Sequence, residues 1–161
     1  MTTHKINIAL IAHDARKADM VSFVTKRLKF FNREDVEIYA TGTTGRYIEF
    51  AGIKKVHSLL SGPHGGDAQI GGMVAEKKIH AVIFFRDPLN SHPHEPDVQM
   101  LMRICDVHVV PLATNYMTAK YVIDWFNMNS VHLTVPSGDE PNDRSQLTSV
   151  PEKQIGDIQS P

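Results

Sequence analysis

The sequence has little of what marks a disulfide framework, a membrane span or a nucleic-acid surface. Cys105 is its one cysteine, so no internal bridge can form, and its setting in MLMRICDV reads as a buried, inert thiol on a helix face. Apolar runs are short. INIALIA, residues 6–12, falls well below the roughly 20 residues of a membrane helix, and MTTHK ahead of it lacks the small-residue cleavage pattern of a secretory signal. A cytoplasmic location is expected. Neither sign of charge dominates, with 17 Lys and Arg against 18 Asp and Glu, and no basic run or basic-aromatic stripe occurs. These absences argue against nucleic acid or an anionic membrane surface as partner. No repeat, dinucleotide fingerprint or Walker loop is present.

What is there is an alternation of short Val- and Ile-rich runs with longer segments of helical period. With 161 residues, this is enough for one domain with a real core. The pattern predicts an α/β fold, a three-layer sandwich of flavodoxin-like or Rossmann-like type with a central, mainly parallel sheet. Strands are expected at 6–12, 36–40, 54–60, 80–85 and 107–114, with an edge strand at 131–135. Helices are expected at about 15–29, 43–52, 65–77, 97–107 and 116–127. The folded domain is expected to span residues 1–136. After it the chain turns polar, with four of its nine prolines at or beyond Pro136, so 137–161 reads as an irregular tail.

The chemistry-bearing residues fall at one end of this scheme. The expected carboxyl ends of four strands read HDARK (from His13), TGTTG (from Thr41), SGPHGGD (from Ser61) and RDPLNSHPHEPD (from Arg86). The amino ends carry ordinary polar residues such as Lys5, Glu34 and Lys54. Ligands of open parallel sheets sit beyond the carboxyl ends, so this one-sided distribution predicts a site. TGTTG offers two glycines and three hydroxyls at a helix start, where free amides and the dipole favour an anion; helix capping alone asks for the same residues. Gly65 and Gly66 exceed what capping needs and imply close backbone approach to a ligand, whereas Gly71 and Gly72 inside the helix imply close helix packing. Asp67, in a first helical turn, should have its pKa held low by the dipole. In HPHEPD, the donors His92, His94, Glu95 and Asp97 are stiffened by two prolines, but their spacing fits no standard zinc pattern. Carboxylates and histidine around a phosphate cradle suit proton abstraction beside the carbonyl of a small phosphorylated compound. The residues alone leave isomerase and lyase equally open.

IAHDARK, YATGTTG, LSGPHGGDAQIGG and FFRDPLNSHPHEPDV, in this order and at these intervals, resemble the methylglyoxal synthase family over nearly the whole chain to about Pro136. The resemblance implies a lyase that turns dihydroxyacetone phosphate into methylglyoxal and phosphate without metal or organic cofactor, as a homohexamer open to inhibition by phosphate. By motif it assigns Asp67 as the base for the C3 proton, with His94 and Asp97 moving protons at the enediol oxygens. Lys17, Thr41, Gly42, Thr43, Thr44, Ser61 and Gly62 would hold the substrate, with His94 also in contact, and His13, Asp14 and Asp87 would complete the wall. Arg144 matches a family arginine that reaches a neighbouring subunit, if one residue is skipped. Two positions depart from the family pattern: Arg86 where tryptophan is expected, implying an altered substrate grip or subunit contact, and His64 where methionine is usual. The competing readings are a non-catalytic effector-binding domain of the same fold, as in carbamoyl phosphate synthetase, and a phospho-acceptor receiver domain. The first would not need Asp67, His94 and Asp97 together; the second would want paired acids after the first strand.

Overall fold

A computed structural model describes residues 5–129 of the chain. Five strands, β1 (Ile6–Ala12), β2 (Val36–Thr41), β3 (Val56–Leu59), β4 (Ala81–Phe85) and β5 (Leu112–Ala113), form one sheet in the order β3-β2-β1-β4-β5. Every pairing is parallel. Six α-helices lie between and after them: α1 (Lys17–Thr25), α2 (Leu28–Phe31), α3 (Gly42–Phe50), α4 (Gly66–Ala75), α5 (Glu95–Val107) and α6 (Tyr116–Asn129). Short 3-10 turns, Asp14–Arg16 and Gly62–His64, precede α1 and α4. No helix among the described residues is long and apolar enough to cross a membrane.

The continuous apolar character of β1 follows from cover on both faces. Ile6, Ile8, Leu10 and Ala12 pack with Met20, Phe23 and Val24 of α1, Phe30 and Phe31 of α2, Ile48 of α3, and Ile123 and Phe126 of α6. Ala9 and Ile11 turn the other way, to Ile70 and Val74 of α4 and to Val98, Leu101 and Cys105 of α5. Cys105 is buried in this second layer, and burial raises its thiol pKa to about 11. This is the inert thiol the sequence indicates.

Two elements differ from the sequence expectation, each for a local reason. The single helix expected over 15–29 is split into α1 and α2. Continued without a break, it would carry Arg27, seven residues after Met20 and four after Phe23, onto the core face; instead the chain turns and the Arg27 guanidinium lies 4.2 Å above the Phe23 ring. The strand expected over 107–114 keeps only Leu112 and Ala113. Its first half closes α5: Val109 takes a left-handed φ of 56°, and Val110 N–H donates to Cys105 O at 2.9 Å, a six-to-one closure of the last turn. The expected edge strand at 131–135, the tail at 137–161 and Arg144 lie outside the described residues.

The strand order reverses between β1 and β4, and the crevice there is where ligands of doubly wound sheets bind. His13 N–H donates to Phe85 O at 3.1 Å, which ties the two strand ends across that crevice.

Candidate functional site

A cleft of about 340 Å³ opens at the carboxyl end of the sheet. It is lined by His13, Asp14 and Lys17 after β1, Thr41, Thr43 and Thr44 after β2, Ser61, Gly62, Pro63 and Asp67 after β3, and His92, Pro93 and His94 after β4. Four loops that are distant in sequence thus meet in one cavity.

Asp67 sits at its base, on the second residue of α4, with no solvent exposure. Neither carboxylate oxygen has a hydrogen-bond partner among the described residues, and Oδ2 lies 3.6 Å from His94 Nε2. Burial raises the Asp67 pKa above the ordinary carboxylate range; His94 opposes the rise and Asp97 adds to it. This corrects the low pKa expected from the helix dipole. A first-turn carboxylate gains from the dipole when amides reach it, whereas desolvation of an unpaired oxygen costs several kcal/mol or so and wins here.

The glycines of SGPHGGD explain how Asp67 comes to lie so deep. A Cβ on Gly66 would meet Leu60 O at 1.9 Å and Thr41 Cγ2 at 2.9 Å, so α4 starts pressed against the ends of β2 and β3. Gly65 stands in open space but has φ +99°, a left-handed value that favours glycine. At Gly66 the close approach is to the chain itself. Further along α4, Gly71 meets Met100 Sδ at 3.1 Å, the expected helix packing, but Gly72 has nothing within 4 Å, so packing does not explain Gly72.

His13 is buried at the end of β1, 6% exposed. Its Nδ1 accepts the Asp87 backbone N–H at 3.0 Å, and its Nε2 is buried without a partner among the described residues. A ring whose Nδ1 accepts carries its proton on Nε2. Burial, then the neighbouring His92 and His94, lower its pKa to about 4, with Glu95 opposing and Arg86 adding slightly. His13 is thus a neutral imidazole with one unused N–H donor at the cleft.

Lys17, the threonine loop and Ser61 line another side of the cleft. Lys17 is 8% exposed, and its Nζ pairs with the Asp14 carboxylate and lies 3.4 Å from Ala12 O. Thr41 occupies the N-cap position of α3 without a side-chain cap bond, so its hydroxyl is not spent on capping. Thr44 Oγ1 accepts Ala12 N–H at 3.3 Å, tying the threonine loop to β1. Gly42 contributes by having no side chain: at φ +25° its Cβ would stand 2.7 Å from Ser61 Cα, and its own N–H is committed to Leu60 O at 3.1 Å. Ser61 Oγ pairs with His64 Nδ1 at 2.7 Å.

Of the sequence-indicated residues, Gly42, Asp97, Asp87 and Arg86 do not line the cleft. Asp97, in the first turn of α5, donates its N–H to His94 O at 3.0 Å and acts on Asp67 through its charge. The Asp87 carboxylate accepts Leu89 N–H at 3.1 Å and belongs to its own loop, so only its backbone reaches the site. Arg86 extends to Met102 Sδ at 2.9 Å on α5. Conversely, His92 lines the cleft where the sequence marked it only as a metal candidate. Among the described residues no group of three His, Cys, Asp or Glu side chains is arranged to hold a metal ion.

The family model for the MGS-like domain matches residues 20–114. A methylglyoxal synthase from Geobacillus sp. (strain WCH70) is 56% identical over 118 residues, 73% of this chain and 83% of that protein. Another, from Geobacillus thermodenitrificans (strain NG80-2), is 50% identical over 141 residues, 84% of this chain and 96% of its own length. The crystal structure of methylglyoxal synthase from Elizabethkingia anophelis NUHP1 superposes with a TM-score of 0.68 at 40% identity, covering 74% of this chain and 78% of that one.

Proposed function

The chain belongs to the methylglyoxal synthase family, and we propose that it converts dihydroxyacetone phosphate into methylglyoxal and inorganic phosphate. The observation that carries this reading is the buried Asp67 carboxylate: unpartnered, raised in basicity, and facing His94 across a cleft whose other side holds Lys17 and the threonine loop.

In the proposed reaction the substrate phosphate lies at the start of α3, where the helix N-terminus, the Thr41, Thr43 and Ser61 hydroxyls and Lys17 favour a dianion. This places the hydroxymethyl carbon toward Asp67, which takes the C3 proton. Negative charge develops on the C2 oxygen, and the neutral His13 donates to it through Nε2–H. A neutral imidazole is a weak acid, so its N–H stabilises the oxyanion by hydrogen bonding while the proton stays on the ring. The enediolate then collapses. The C3 hydroxyl gives up its proton as the C3–O bond becomes a carbonyl, the double bond moves between C2 and C1, and the C1–O bond breaks to release phosphate. His94, at the cleft, carries the oxygen-bound protons, with Asp97 acting from behind it through its charge, leaving the enol of methylglyoxal, which tautomerises to product. The burial of Asp67 helps here: desolvation makes the carboxylate a better base once the substrate is seated.

The same reading carries a homohexamer in the cytoplasm, inhibition by phosphate, no metal or organic cofactor, and Arg144 reaching the phosphate site of a neighbouring subunit. The test is direct. The purified protein is incubated with dihydroxyacetone phosphate and a metal chelator, and methylglyoxal and phosphate are both quantified. Equal release of the two products is expected. Absence of turnover, or turnover lost on chelation, overturns the reading; phosphate binding without turnover would point to an effector-binding domain.

A further inference from the structure

His92 belongs to no step of the reaction above, yet its surroundings are those of a functional residue. It lines the cleft, its Nε2 is buried without a partner among the described residues, and its ring lies 3.7 Å from the His13 ring, centroid to centroid, at an interplanar angle of 34°. His13 is held from a second direction by Phe84, whose ring meets it edge-on at 5.0 Å. Resting on the role proposed for His13, we propose that His92 is a positioning residue that holds the His13 imidazole in one plane with the Nε2–H tautomer available to the cleft.

Two physical arguments support this. The first is steric. The Asp87 N–H to His13 Nδ1 bond is a single contact about which the ring can swing. Phe84 blocks one excursion and the His92 face blocks another, so the donor N–H keeps the direction that the developing oxyanion requires. Misplacement of such a group by about 1 Å can cost about 10²-fold in rate.

The second is electrostatic. Two imidazolium rings stacked this closely repel, so at most one of the pair takes up a proton. Protonating His13 would also put a proton where Asp87 N–H already donates. Both effects keep His13 neutral. The groups acting on His13 fit this: after burial, His92 lowers its pKa most, ahead of His94 before α5, with Glu95 of α5 opposing and Arg86 after β4 adding to the fall. His94 is more distant from both rings, at 5.6 Å from His13 and 5.7 Å from His92, and meets His13 edge-on, so it cannot replace the stacking contact.

The experiment uses the full-length protein with ¹⁵N-labelled histidine, and reads the His13 tautomer and titration directly by imidazole NMR alongside kinetics with dihydroxyacetone phosphate. In the wild type His13 is expected as the Nε2–H tautomer, neutral down to about pH 4. In His92→Phe the ring contact remains but the second titratable ring is gone. The tautomer should persist, the His13 midpoint should move up, and kcat should stay within about threefold of wild type. In His92→Ala the tautomer should become mixed and kcat should fall about 10- to 100-fold, with KM changed far less. An unchanged His13 spectrum and titration in His92→Ala overturns the inference. So does a Phe variant as slow as the Ala variant with its His13 tautomer intact, because His92 would then act on the substrate itself. A wild type without turnover would sink the proposed function alone, since the spectra of the free protein still decide the role of His92.

Discussion

His94 Nε2 and Asp67 Oδ2 stand 3.6 Å apart, an ion-pair distance too long for a hydrogen bond, and Gly62 borders the gap. A methyl group on Gly62 would come within 2.9 Å of His94 Nε2 and 3.2 Å of Asp67 Oδ2. The two groups converge from α4 and from the loop before α5 without being joined, which leaves both Asp67 oxygens unused.

This relationship makes Gly62 a sensitive position. Gly62→Ala should push His94 and Asp67 apart and lower kcat by about tenfold or more, since the cost of misplacing catalytic groups is steep, while the protein still folds. Gly72→Ala is the contrast. Gly72 lies within α4 with nothing near its Cβ position, so alanine should stabilise by about 0.5–1 kcal/mol. Steady-state kinetics and thermal melts of the two variants, side by side, check both expectations.

Asp67→Asn should lower turnover by about 10²- to 10⁴-fold, the usual loss with a general base. It should also stabilise the fold in a pH-dependent way. The Asp67 pKa is raised in the folded state, so below the ordinary carboxylate value of about 3.9 both states hold the proton and no penalty arises. As pH rises through the folded-state pKa, the wild type acquires a buried, unpaired charge and loses stability that asparagine keeps. The melting-temperature advantage of Asp67→Asn should therefore be larger at pH 8 than at pH 4. An advantage independent of pH would mean the carboxylate carries no such penalty.

Lys17→Met should act mainly on binding. Lys17 is buried beside the threonine loop, and a charge-assisted hydrogen bond is worth about 1.5–3 kcal/mol. KM for dihydroxyacetone phosphate should rise about 10- to 100-fold, with kcat changed much less and inhibition by inorganic phosphate weakened in step. A fall confined to kcat would assign Lys17 to the chemistry instead.

His64 Nδ1 pairs with Ser61 Oγ at 2.7 Å. Removing one ordinary hydrogen bond of about 1 kcal/mol should raise KM about fivefold in His64→Met. The effect should vanish in a Ser61→Ala background, because the two residues act as one unit. Additive effects in this double-mutant cycle would separate His64 from Ser61.

The fold class and the location of the site were legible because they depend on patterns carried by contiguous residues. INIALIA reads as a strand covered on both faces, and each of HDARK, TGTTG, SGPHGGD and RDPLNSHPHEPD begins at or just after a strand end. Boundaries failed where a competing demand was not local. The break before Arg27 depends on which helix face meets the sheet, and the shortened β5 depends on how Val109 and Val110 close α5.

By itself, the sequence determined the α/β architecture, the end of the sheet that carries chemistry, and the residue types available there, since periodicity and motif order survive without any contact being known. Only the tertiary structure decided what each group is. It buried Asp67 so that desolvation overrode the helix dipole, sent the Asp87 amide to His13 Nδ1 and so chose the imidazole tautomer, turned Arg86 away to α5, and stacked His92 on His13. Protonation state, tautomer and orientation depend on solvent exclusion and on neighbours from distant loops, which come together only when the chain has folded.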